Sequence, residues 1–173
     1  MRIFLFASLL TMMMAQSSAT VRTVSAVDLD RYAGDWFEIT RYPNRFQREC
    51  AGDVRASYAR RPDGCIDVVN RCARTDGSII EARGIAQVAD VRTRAKLKVR
   101  FAPAFLSFLP IVWGDYWILG LADDYAWAVV GSPDRKYLWI LARTPHLDAA
   151  AFERAVAVAT ANGFDPGRLV SRR

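Results

Sequence analysis

Apolar and polar residues alternate along much of this chain in short runs, and turn-forming residues separate the runs. Val54-Arg55-Ala56-Ser57-Tyr58 and Ile66-Asp67-Val68-Val69-Asn70 approximate the two-residue period that turns every second side chain toward a core. Runs of this kind predict eight strands, over residues 36–41, 52–60, 66–72, 79–88, 95–101, 115–121, 125–131 and 137–143. Pro62-Asp63-Gly64 and Asp76-Gly77 mark tight turns between neighbours. Antiparallel strands in this number close into a barrel whose interior holds one small ligand, and closure removes exposed sheet edges. The predicted fold class is all-β: an eight-stranded antiparallel up-and-down β-barrel.

One segment has another period. Asp148 is placed to cap an alanine-rich helix over Ala149–Ala161, with Phe152, Val156 and Ala159 at helical spacing. Asn162-Gly163 ends it, because glycine accepts the left-handed conformation common after a helix, and Phe164 can pack back on the last turn. The apolar face predicts a C-terminal α-helix packed on the outside of the barrel.

Strict alternation assigns the inward positions. They are Val54, Ala56 and Tyr58; Ile66, Val68 and Asn70; Ala82, Gly84 and Ala86; Leu97, Val99 and Phe101; Trp117, Leu119 and Leu121; and Trp139, Leu141 and Arg143. Both faces of 125–131 are apolar, so its phase stays open. Glu38 turns inward beside Trp36, where a carboxylate must be paired, hydrogen-bonded or protonated.

Residues 1–19 read as a cleaved signal peptide. Arg2 precedes an apolar run from Ile3 to Ala15, shorter than the roughly 20 residues a membrane span needs, and Ser17-Ser18-Ala19 offers a cleavage site. The mature chain of 154 residues (173 minus 19) is one domain, and loss of Arg2 lowers its formal charge from +6 to +5. The expected setting is periplasmic, with or without association with the outer membrane; no cysteine precedes Cys50 to carry a lipoprotein anchor. Arg92, Arg94, Lys96, Lys98 and Arg100 alternate, giving either a solvated outer face or one drawn to an anionic membrane. Nothing in the sequence points to nucleic acid.

Three cysteines in an oxidising compartment suggest one disulfide and one spare thiol. A hairpin turning near Pro62–Gly64 sets Cys50 opposite Cys72. Cys65 lies seven positions from Cys72 on the same strand, roughly 23 Å away, and a disulfide spans Cα atoms no more than about 7 Å apart. The prediction is Cys50–Cys72 bonded and Cys65 free.

Three motifs follow one another. They are Tyr32-Ala33-Gly34-Asp35-Trp36-Phe37-Glu38-Ile39, Asp123-Asp124-Tyr125, and Trp139-Ile140-Leu141-Ala142-Arg143-Thr144-Pro145. Through them the chain resembles the lipocalin family, within it the bacterial and apolipoprotein D-like members; the second motif departs at Asp123, where threonine is usual. Val54, Ala56, Tyr58 and Asn70, with Gly114-Asp115-Tyr116-Trp117-Ile118-Leu119, fit the bacterial pattern. The resemblance covers residues 24–173, the expected lipocalin domain. It implies a lipocalin β-barrel whose floor is closed by Gly34, Trp36 and Arg143, the guanidinium packing across the indole. It also places Trp117 and Trp139 at a ligand pocket, with Tyr58 and Asn70 as sparse polar groups among Val99, Phe101 and Leu119. Core filling is the competing reading of these rings.

The chemistry for catalysis is thin. His146 is the single histidine, no Gly-x-Ser-x-Gly elbow occurs, and no metal-ligand spacing appears. The expected function is non-enzymatic binding, storage or transport of fatty acids or lysophospholipids, with neither cofactor nor metal. The alternatives are an enzyme using the Cys65 thiol on a bound lipid, and a protein-interaction module at the mouth loops. The run from Phe101 to Trp113 carries no charge. Strand directions put it at the mouth, with Phe105, Leu106, Phe108, Leu109 and Trp113 as a lid, a homodimer contact or a membrane contact.

Overall fold

A computed structural model describes residues 20–171; the leader expected over 1–19 lies outside them. In chain order the elements are α1 (Leu29–Tyr32), β1 (Gly34–Arg41), β2 (Gly52–Arg60), β3 (Ile66–Ala73), β4 (Ile79–Val88), β5 (Lys96–Arg100), β6 (Gly114–Leu121), β7 (Trp127–Gly131), β8 (Leu138–Ala142), α2 (Ala149–Ala161) and β9 (Val170–Ser171). Each of the first seven strands pairs antiparallel with the next, and β8 pairs with β1, closing the barrel. The two-residue β9 lies along β1 at Thr40 and Arg41.

The strands separate two apolar clusters. One fills the lumen and draws on all eight barrel strands, from Trp36 on β1 to Leu141 on β8, with α1 closing one end through Leu29 and Tyr32. The other lies between the outer wall and α2 and contains Leu119, Trp127, Val129, Leu138, Ile140, Ala151, Ala155, Ala159 and Phe164. Small residues facing the wall let α2 come close. A Cβ at Gly120 would stand 2.8 Å from Val158. Asp148 caps α2 by accepting from the Ala151 amide, and Gly163 beyond it has φ +78°, so the helix starts and stops where its signals stand.

Strict alternation fails on β6. Leu121 does face the lumen cluster, but a register shift between Ile118 and Gly120 reverses the phase before it. Tyr116 and Ile118 join the lumen, whereas Trp117 and Leu119 join the outer cluster. Neither is therefore a lumen residue, and Trp117 instead carries Lys96 over its ring at 4.4 Å. The open phase of β7 resolves with Ala128 and Val130 inward and Trp127 and Val129 under the helix.

Cys50 and Cys72 are bonded, with Cα atoms 5.5 Å apart, and Cys65 is free. The register behind that pairing differs from the simple hairpin. Ala56 faces Asn70 and Tyr58 faces Val68, so Cys50 is not straight across from Cys72. A bulge before Arg55, with Asp53 at φ +48°, and the turn ahead of β2 bring the two together. The five-residue basic row is also shorter than expected. Arg92 and Arg94 lie in the turn before β5, Lys98 pairs with Asp115 at 2.7 Å, and Arg100 is buried.

Candidate functional site

The floor is built where three distant segments meet. Trp36 is fully buried and donates from Nε1 to the Tyr32 carbonyl at 2.8 Å. The Arg143 guanidinium lies over its ring at 3.9 Å, donating to the carbonyls of Asp35 and Arg31 at 2.9 and 2.6 Å. Gly34 is required here twice over: its φ is +95°, and a Cβ would stand 3.3 Å from Nη1 of Arg143. Arg31 stacks on Tyr125 and bonds the Asp123 carbonyl, which ties in the middle motif.

Above the floor lie three tyrosines. The Tyr116 hydroxyl stands 2.7 Å from that of Tyr32 and 2.9 Å from that of Tyr58. Burial dominates their ionisation: it holds Tyr32 and Tyr116 well above the ordinary phenol value and pushes Tyr58 up to about 12. Two hydrogen bonds use two of the three hydroxyl protons, so the third can be donated to an oxygen acceptor.

The mouth is partly closed by the β1–β2 connection. Asn44 caps a short 3-10 turn, Arg45–Gln47, and Gln47 reaches down between lumen-side groups. It donates to Glu38 at 2.5 Å and accepts from Trp139 Nε1 at 3.1 Å. Glu38 is 2 % exposed and is held also by Arg41 at 3.1 Å, so the inward acid is satisfied by a cation and an amide.

Of the expected ligand residues, Tyr58, Val99 and Trp139 lie in the lumen cluster. Asn70 stands between the inward positions Ala56 and Ala82. Phe101 lies at the rim, where its ring would meet a Cβ at Gly84, and Trp117 and Leu119 are outside. Of the residues expected at the floor, Arg143 lies over the Trp36 ring and Gly34 stands beside its guanidinium. In the Phe101–Trp113 loop, Phe105, Phe108 and Ile111 are 74 %, 76 % and 92 % exposed, whereas Leu106, Leu109 and Trp113 are half-buried. Free Cys65 lies near Gln87, an exposed residue of β4, and His146 is exposed.

The sequence reading missed Tyr32, Tyr116, Arg41 and Gln47 as parts of the cup. The phase error on β6 hid Tyr116. Asn44-Arg45-Phe46-Gln47 carried a signal for the mouth turn, since Asn followed three residues later by Gln is a capping-box pattern. Among the described residues no cluster of His, Cys, Asp and Glu could hold a metal ion, and no helix is long and apolar enough to cross a membrane.

A closed barrel with an apolar lumen, a sealed floor and a turn over its mouth defines a small-molecule binding protein of the cup type. The chain belongs to the lipocalin family: the model of the lipocalin-like domain matches residues 27–173. Temperature-induced lipocalin-1 of Arabidopsis thaliana is 39% identical over 151 residues, 86% of this chain and 80% of that one. Outer membrane lipoprotein Blc of Escherichia coli K12 is 38% identical over 151 residues, 87% and 81% of the two chains. Insecticyanin of the tobacco hornworm Manduca sexta shares the fold, with a TM-score of 0.69 at 20% identity over 90% of this chain and 85% of that one. Lipocalins bind small hydrophobic ligands and are generally not enzymes.

Proposed function

We propose that this lipocalin binds a long single-chain lipid, a fatty acid or a lysophospholipid, and carries it within the bacterial cell envelope without transforming it. The observation that carries this reading is the lumen cluster: apolar side chains from every barrel strand surround a few polar groups, Tyr58 with Tyr32 and Tyr116, and Asn70. The disulfide fits an oxidising compartment, and a relative is an outer membrane lipoprotein. The thiol of Cys65 lies outside the lumen, which disfavours chemistry on a bound lipid. Titration with oleic acid and with oleoyl-lysophosphatidylcholine is expected to quench tryptophan emission saturably. Trp139→Phe should reduce the amplitude, because that ring faces the lumen. If neither lipid gives saturable quenching or calorimetric heat, the reading fails.

The loop between β5 and β6 supplies the route. Its side chains at Phe105, Phe108 and Ile111 project outward instead of covering the cup, which favours a membrane contact over a lid. Because Lys98 and Arg100 are committed within the fold, apolar insertion carries this contact. Changing Phe105, Phe108 and Ile111 together to serine should weaken binding to phosphatidylglycerol-containing vesicles by roughly tenfold or more. Affinity for monomeric lipid should hold. Unchanged vesicle binding would defeat the membrane contact, and a fall in solution mass would assign the loop to a homodimer.

A further inference from the structure

The barrel is parted on one side near its mouth. β1 pairs with β2 only from Gly34–Tyr58 to Phe37–Arg55. Beyond Phe37 the two strands separate, and β1 takes β9 as its partner at Thr40 and Arg41. The parting holds a cavity of about 710 Å³, lined among others by Arg41, Arg48, Glu49, Val54, Arg74 and Val170. Its volume falls within the roughly 300–1,000 Å³ of small-molecule sites.

The lining is unbalanced in charge. Three guanidiniums stand against one carboxylate, that of Glu49, which is bound to Arg74 at 3.0 Å. Arg41 is committed to Glu38 through Nη1, yet its buried Nε has no acceptor. Arg48 is exposed and, among the described residues, bonds to no acid or carbonyl. A guanidinium with free donors beside other cations is a receptor for phosphate or carboxylate oxygen, through charge-assisted bonds. The cavity lies beside the cup: Arg41 pairs in register with lumen-facing Trp139, and Val54 in its lining is buried.

We infer that this parting is an anionic headgroup site: the phosphate of a lysophospholipid sits against Arg48 at the slot while its acyl chain lies in the lumen. The assignment rests on the lipid-binding reading and narrows it to anionic single-chain lipids. It also gives the ligand a lateral way in, beside the Gln47 turn instead of through it.

The test compares oleoyl-lysophosphatidic acid with monoolein, which has the same chain and no phosphate, on the wild-type protein and on Arg48→Gln and Arg48→Glu. Wild type should prefer the phosphate lipid by on the order of tenfold, and added salt should shrink the preference. Arg48→Gln should lose most of that preference and Arg48→Glu all of it, with monoolein affinity unchanged in both. Equal binding of the two lipids by wild type, with monoolein saturable, would overturn the slot and leave the cup. A parallel loss of both affinities in the variants would also overturn it, as structural damage. Failure of both lipids to bind would overturn cup and slot together. Inorganic phosphate that binds Arg48-dependently by phosphorus resonance, without any preference for the phosphate lipid, would mark a free-anion site and overturn the headgroup assignment.

Discussion

Trp36→Ala will lower the stability of the barrel by roughly 4 kcal/mol, read as a shift in the urea midpoint at constant slope. The ring is wholly buried, holds the Tyr32 carbonyl through Nε1 and forms the platform for Arg143. Its removal leaves a cavity under the lumen, an unmet carbonyl and a guanidinium without its seat. Arg143→Lys should cost less, about 1–2 kcal/mol, because the charge stays but one ammonium cannot reproduce the fork to Asp35 and Arg31. A loss below about 1 kcal/mol for Trp36→Ala would show that the ring does not close the floor.

The buried tyrosines make the protein sensitive to alkali. A phenol whose value is raised on folding keeps its proton after the unfolded chain has lost it. The stability it lends is fully present below pH 10, the unfolded value, and is lost as pH rises through the folded value, about 12 for Tyr58. Within that window each such tyrosine removes about 1.4 kcal/mol per pH unit. Tyr32, Tyr58 and Tyr116 together remove roughly 4 kcal/mol per unit where all three windows overlap, a large share of the 5–15 kcal/mol of an ordinary domain. Circular dichroism should show cooperative unfolding above pH 10, and Tyr58→Phe should flatten the decline by about a third. Ionisation of all six tyrosines near pH 10 with the fold intact would sink this account.

The barrel was legible because most of its strands have one wet face. On β2 and β3, charged residues such as Arg55, Asp67 and Arg71 alternate with lumen residues, so their phase could be counted. β6 and β7 carry no such contrast where α2 covers the outer wall, and Trp117 and Leu119 look as apolar as Tyr116 and Ile118. Counting back from Leu121, which does face inward, crosses the bulge and lands on the wrong face. Bulges leave no mark in a hydrophobic pattern beyond an occasional glycine, here Gly120. The floor could be read from motifs because few residue types fit a positive φ beside a stacked guanidinium. The mouth could not, since Gln47 reaches Trp139 and Glu38 only through tertiary placement.

The floor also sets the order of assembly. β1 finds its partner on β8, Phe37 against Ala142, and the guanidinium that seals Trp36 comes from Arg143. None of these contacts exists until nearly the whole barrel has been synthesised. Hairpins from β2 to β7 can form early from neighbours in sequence, but they leave an open, twisted sheet whose apolar side has no opposite wall. Ring closure is therefore the step expected last, set by the entropy of joining the two ends of the sheet. Until it closes, the open sheet leaves its apolar side uncovered, and a chain truncated before the last strand is expected to aggregate.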